Sequence, residues 1–70
     1  MERVPVVSTN IRSVGYEPGS LILEVEFNSG TVYQYFDVAP AEYDRLMNAA
    51  SKGKYLNGNI KGRYRDMRVR

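Results

Sequence analysis

Apolar and polar side chains alternate along Leu21–Phe36, LILEVEFNSGTVYQYF, on either side of Asn28-Ser29-Gly30, and this pattern predicts a β-hairpin over about 21–27 and 31–36. A three-residue loop with Gly30 in the left-handed region sets Phe27 across from Thr31, Val25 across from Tyr33 and Leu23 across from Tyr35. Because side chains repeat every second residue, Leu23, Val25, Phe27, Tyr33 and Tyr35 share one face, the expected core face. Ile22, Glu24, Glu26, Val32, Gln34 and Phe36 share the other. There the two carboxylates require water, while the three large apolar residues make the face greasy enough to need partial cover.

Upstream, Val14 and Tyr16 alternate within Asn10–Tyr16, and Glu17-Pro18-Gly19-Ser20 carries turn chemistry. A loop of those four residues sets Tyr16 opposite Leu21 and Val14 opposite Leu23, which completes a three-stranded antiparallel meander (about 10–16, 21–27 and 31–36). Met1–Thr9 has no period and Pro5 lacks the amide that a central strand needs, so a loose or edge-lying arm without a site is expected. Downstream, Pro40 at a first helical position opens a helix over about 40–51. Ala39 is a weak cap, offset by a Val38–Tyr43 staple and by Glu42 and Asp44 near the positive end of the dipole. Tyr43, Leu46, Met47 and Ala50 follow at i, i+3, i+4 and i+7, a stripe suited to the sheet, and Gly53 is expected as a left-handed stop. Leu56, Ile60 and Tyr64 recur every fourth residue, but Gly58 and Gly62 weaken a helix there. Residues 55–64 are therefore expected to be short helix-like or irregular structure, with 67–70 frayed. The fold class is α+β, one domain over residues 1–70.

With 70 residues the core is thin, and the chain has neither cysteine nor histidine. Disulfides, thiolate chemistry, zinc-finger spacing and the usual proton shuttle are excluded, so no metal and no cofactor are expected. No stretch has the apolar length of a signal peptide or of a membrane span, which sets the expectation of a cytoplasmic protein with no membrane partner.

The formal charge of +2 conceals an asymmetry. Residues 1–51 hold three cations against seven carboxylates, a net of −4, whereas residues 52–70 hold seven cations against Asp66 alone, a net of +6. That density favours an anionic partner such as nucleic acid. Lys52, Lys54, Lys61, Arg63 and Arg65 are the expected phosphate contacts, and Tyr55, if exposed, can stack on an unpaired base. A solvated basic tail explains the same residues without a ligand. Ser51, Gly53 and Tyr55 allow a small anion site at a left-handed turn, where a plain helix stop accounts for them with less. Tyr33 and Tyr35 lie on the core face and are expected to be structural rather than a stacking platform. Glu24 and Glu26 have no histidine, cysteine or metal cluster beside them, so catalysis is not expected.

Ser8-Thr9-Asn10-Ile11, Val14-Gly15-Tyr16, Leu23-x-Val25-x-Phe27, Gly30, Tyr33-Gln34-Tyr35, Ala50-Ser51-x-Gly53-x-Tyr55, Asn57, Ile60 and Tyr64 resemble, in order and spacing, the KTSC domain. That family is named for its place at the carboxyl end of some lysyl-tRNA synthetases and also occurs as free-standing small proteins. Its pattern sets proline directly after the valine equivalent to Val38, whereas here Ala39 intervenes. The resemblance implies a domain of unknown function with a proposed role in binding RNA, and it tilts the expected partner from DNA to RNA. Two roles follow. The first is a small accessory RNA- or tRNA-associated module that holds phosphate through the basic carboxyl segment. The alternative is a protein-interaction or self-associating module that uses a sheet edge and the Ile22/Val32/Phe36 face.

Overall fold

The computed structural model describes all 70 residues, Met1–Arg70. Five strands, β1 (Arg3–Pro5), β2 (Ile11–Glu17), β3 (Ile22–Phe27), β4 (Val32–Tyr35) and β5 (Asp66–Arg68), form one antiparallel sheet in the order β1-β2-β3-β4-β5. Helices α1 (Pro40–Asn48) and α2 (Lys52–Tyr55) lie between β4 and β5, and α2 runs on into a π turn over Leu56–Ile60. The α+β class stands, but the expected three-stranded meander is only the middle of the sheet.

The hairpin forms as its loop dictates. Leu23 pairs with Tyr35 and Val25 with Tyr33, and Gly30 is left-handed at φ 92°. The first turn differs from expectation. Its loop is Pro18–Leu21, with Leu21 at φ 57°, so Tyr16 opposes Leu23 and Val14 opposes Val25. The shift is an even number of residues and therefore leaves both side chains on the core face. A bulge between Ile11 and Ser13 reverses the alternation, so that Ile11 and Val14 both point into the core.

Both ends of the chain are more ordered than their composition predicts. Arg3–Pro5 pairs with β2, which keeps the edge-lying half of the expectation for Met1–Thr9. Asp66–Arg68 pairs with β4, and Val69 donates its amide to the Val32 carbonyl, so residues 67–70 are not frayed. Helix α1 stops at Asn48, not near 51. Ala49 is extended, the Asn48 side chain donates through Nδ2 to the Asp44 carbonyl, and Ser51 caps the next helix by accepting from the Lys54 backbone amide at 3.3 Å. Gly53 consequently lies within α2. The left-handed stop is Gly62, at φ 81°, in a type II turn closed by the Arg63 amide on the Ile60 carbonyl.

Ile11, Val14, Leu23, Val25, Tyr35, Val38, Leu46, Leu56 and Ile60 make the core between the sheet and the helices. Tyr16, Phe27, Tyr33, Tyr43, Met47, Tyr55 and Tyr64 pack round it. Tyr35 is 2% exposed and its burial pushes the phenol up to about 12. The core role expected of it holds.

Candidate nucleic-acid interface

Of ten lysines and arginines, four enter ion pairs: Arg3, Arg12, Arg45 and Arg70. Their partners are Glu24, Glu26 and Glu42 alone. The other six cations, Lys52, Lys54, Lys61, Arg63, Arg65 and Arg68, all fall between residues 52 and 68, and none of them meets a carboxylate. Lys54, Lys61, Arg63 and Arg65 are exposed, whereas Lys52 is half-buried and donates to the Ala49 carbonyl at 3.4 Å. Gly53, Leu56 and Ile60 turn inward, so Lys54 and Lys61 stand on the outer side of the helical segment, about two turns apart. Arg65 is partly engaged, its guanidinium 5.2 Å from the centre of the Phe36 ring.

Tyr55 is drawn away from the part expected of it. Its hydroxyl donates to Glu42 in a very short contact, and Arg45 donates to the same hydroxyl at 3.2 Å. Tyr64 donates to the other oxygen of Glu42 at 2.8 Å. Glu42 is thus a covered carboxylate that ties α1 to the start of the π turn and to the segment before β5. Burial alone would raise its pKa, but the hydrogen bonds from Tyr55, Tyr64 and Arg45 outweigh it and hold the group below the usual range. The same contact with Glu42 raises both phenols. Helix position alone marked Glu42 as a first-turn acid, and its partners come from elements distant in sequence. The one local signal was Arg45, three residues on.

Glu24 and Glu26 are also covered, contrary to the expectation that they face water. Arg3 reaches Glu24 from β1, Arg70 reaches Glu26 at 3.2 Å from beyond β5, and Ser13 and Gln34 donate to them at 2.8 Å. Gly15 makes room for this, since a Cβ there would lie 3.0 Å from the Arg3 side chain and 2.7 Å from the Glu2 carbonyl. For Glu24, burial raises the pKa and the bonds from Gln34 and Arg3 lower it further than that; for Glu26 the Ser13 hydroxyl is the leading cause of the lowering. The greasy patch on this face is not open. Val32 is 2% exposed, Ile22 and Phe36 are half-buried, and Phe36 lies under Arg65.

Gly53 supplies no left-handed turn for an anion. It is buried against Asn10, and a Cβ at that position would lie 2.4 Å from Asn10 Oδ1. This contact sets Asn10, and with it the end of the Met1–Thr9 arm for which no site is expected, beside the start of α2. Val7, Ser8, Thr9, Ala50, Ser51 and Lys52 line a groove there. No cluster of three or more His, Cys, Asp or Glu side chains is arranged to hold a metal, and no helix is long and apolar enough to cross a membrane.

The family model described as KTSC domain matches residues 7–64. A protein of Stutzerimonas stutzeri is 43% identical over 70 residues, 99% of each chain. The lysine–tRNA ligase of Nostoc punctiforme is 44% identical over 55 residues, which are 79% of this chain and 10% of the ligase. The crystal structure of a KTSC domain protein from Yersinia pestis superposes with a TM-score of 0.95 at 36% identity, covering 99% of this chain and 97% of that one.

Proposed function

The chain belongs to the KTSC domain family, and from that premise we propose that it is a small accessory RNA-binding module of the cytoplasm, one that binds rather than catalyses. The observation that carries this reading is the partition of charge. Every cation left without a carboxylate lies between Lys52 and Arg68, while the acidic part of the chain has its three covered carboxylates neutralised internally. Lysine and arginine in that state release counterions from a polyphosphate at no cost in broken ion pairs. The occurrence of a similar segment in lysine–tRNA ligases favours RNA over DNA. Lys54, Lys61 and Arg63 are the principal phosphate contacts, Lys52 and Arg65 flank them, and Tyr55, anchored on Glu42, adds less stacking than a free ring. Such contacts read no base sequence.

Electrophoresis with a single-stranded RNA at several salt concentrations tests the proposal. With about four phosphates neutralised, log affinity falls against log salt with a slope near −3. Lys54→Glu, Lys61→Glu and Arg63→Glu combined should abolish the complex. No complex at low salt, or binding unchanged by the triple reversal, overturns the reading.

A further inference from the structure

Two segments far apart in the chain, Val7–Thr9 before β2 and Ala50–Lys52 at the entry to α2, form the walls of a groove of about 340 Å³. That is the lower end of the range for small-ligand sites. The approach of the walls is set by Gly53, which has no side chain to displace Asn10. Both walls are held from within. Ser8 Oγ donates to Asn10 Oδ1 at 3.1 Å and accepts from the Asn10 and Ile11 amides, while Ser51 Oγ accepts from the Lys54 amide.

The lining chemistry is specific in kind. Thr9 and Ser51 offer hydroxyl donors, the Ser8 proton being committed to Asn10, and the only charge is the Lys52 ammonium, which makes one long bond to a carbonyl and no ion pair. No carboxylate lines the groove to repel an anion. Val7 stands at the rim with 98% of its surface in water, an aliphatic group with nothing packed on it. A cation and hydroxyls beside an open aliphatic group match the two ends of a nucleotide, an anionic phosphate and a base whose flat face can cover apolar surface. We infer that the groove binds one nucleotide unit, with its phosphate on Lys52 and its base against Val7. The inference deepens the RNA-binding reading and rests on it for the source of the nucleotide, a strand rather than a free monomer.

NMR titration of the full chain with 5′-AMP, inorganic phosphate and a short single-stranded oligoribonucleotide separates the cases. 5′-AMP should shift the Val7 methyls and the amides of Ser8, Thr9, Ser51 and Lys52. Lys52→Gln should weaken it about fivefold, the upper end of what one charge contact near the surface contributes. Ala50→Phe, which fills the groove from an exposed position, should remove the shifts while resonances of β3 and α1 stay in place. The oligoribonucleotide should shift the same set together with Lys54 and Lys61, and Ala50→Phe should weaken it at every salt concentration. If RNA binds through the basic segment while the groove resonances stay still and Ala50→Phe binds like the parent, the groove inference falls and the RNA reading stands. Phosphate reproducing the 5′-AMP shifts, Val7 included, overturns it in favour of an anion site. Shifts with 5′-AMP but no binding of RNA leave the groove as a monomer site and defeat the RNA reading.

Discussion

Glu42 sits in the first turn of α1, where a carboxylate ordinarily faces water, yet it is only 8% exposed. It tolerates that position because each oxygen accepts a phenolic hydroxyl and Arg45 lies beside one of them at 3.4 Å. The pH dependence follows from the direction of each shift. Glu42 is lowered, so its contribution to stability is complete above the ordinary carboxylate value and is lost as pH falls through the lowered one. Tyr55 and Tyr64 are raised above the usual 10.0, so theirs is complete below that value and is lost as pH rises through the raised ones. Glu42→Gln, which keeps an acceptor but not the charge, should cost about 1–2 kcal/mol at neutral pH. It should also flatten part of the acid limb of a melting curve, since Glu24 and Glu26 retain theirs, and move the alkaline limb toward pH 10. Superimposable melting temperatures for both proteins at pH 3, 7 and 11 would show that the cluster is not closed in solution. At this scale the sequence was legible for Tyr35, whose face was set by the hairpin loop, and for Tyr64, which shares a period with Leu56 and Ile60. It was not legible for Glu42, whose hydroxyl partners lie 13 and 22 residues away.

Glycine serves the elements in two ways that a sequence does not distinguish, which is why the end of the helical region was misplaced. Gly30 and Gly62 are needed for positive φ, whereas Gly53 is needed for the missing side chain. Gly58, in the π turn, meets neither requirement, since its φ is not positive and an added Cβ would touch nothing within 4 Å. Gly53→Ala should therefore destabilise the fold by about 1–3 kcal/mol as Asn10 is driven aside. Gly58→Ala should stabilise it by about 0.4–1 kcal/mol, by restricting the unfolded chain. Urea unfolding of the two variants decides, and equal shifts would mean that Gly53 is not in contact with Asn10. The outer strands leave no pattern in the sequence for a different reason. β1 and β5 are each three residues long, too short for alternation to show, and they are tied to Glu24 and Glu26 of the middle strand by Arg3, within β1, and by Arg70, just beyond β5. Such pairing exists only after the meander has formed, so no local pattern announces it.

Across the whole molecule, the net charge of +2 is a poor guide to what a partner meets. Subtracting the paired groups leaves six cations, all between residues 52 and 68, and five carboxylates, Glu2, Glu17, Asp37, Asp44 and Asp66, four of which precede that segment. The asymmetry visible in the sequence is therefore kept by folding, because the four pairing arginines and their three glutamates leave only a single positive charge among themselves. This separates the cations by role in a way that binding can read. Phosphate neutralised by an unpaired lysine adds about 0.7 to the magnitude of the salt slope on a single strand. Lys54→Gln and Lys61→Gln should each lower it by about that amount. Arg3→Gln should leave the slope unchanged, because Arg3 is committed to Glu24 and to the Ser13 hydroxyl, and should instead lower the melting temperature by freeing β1. A slope that falls equally for Arg3→Gln and Lys54→Gln would mean that RNA senses total charge alone, and that the partition made by folding has no bearing on where it binds.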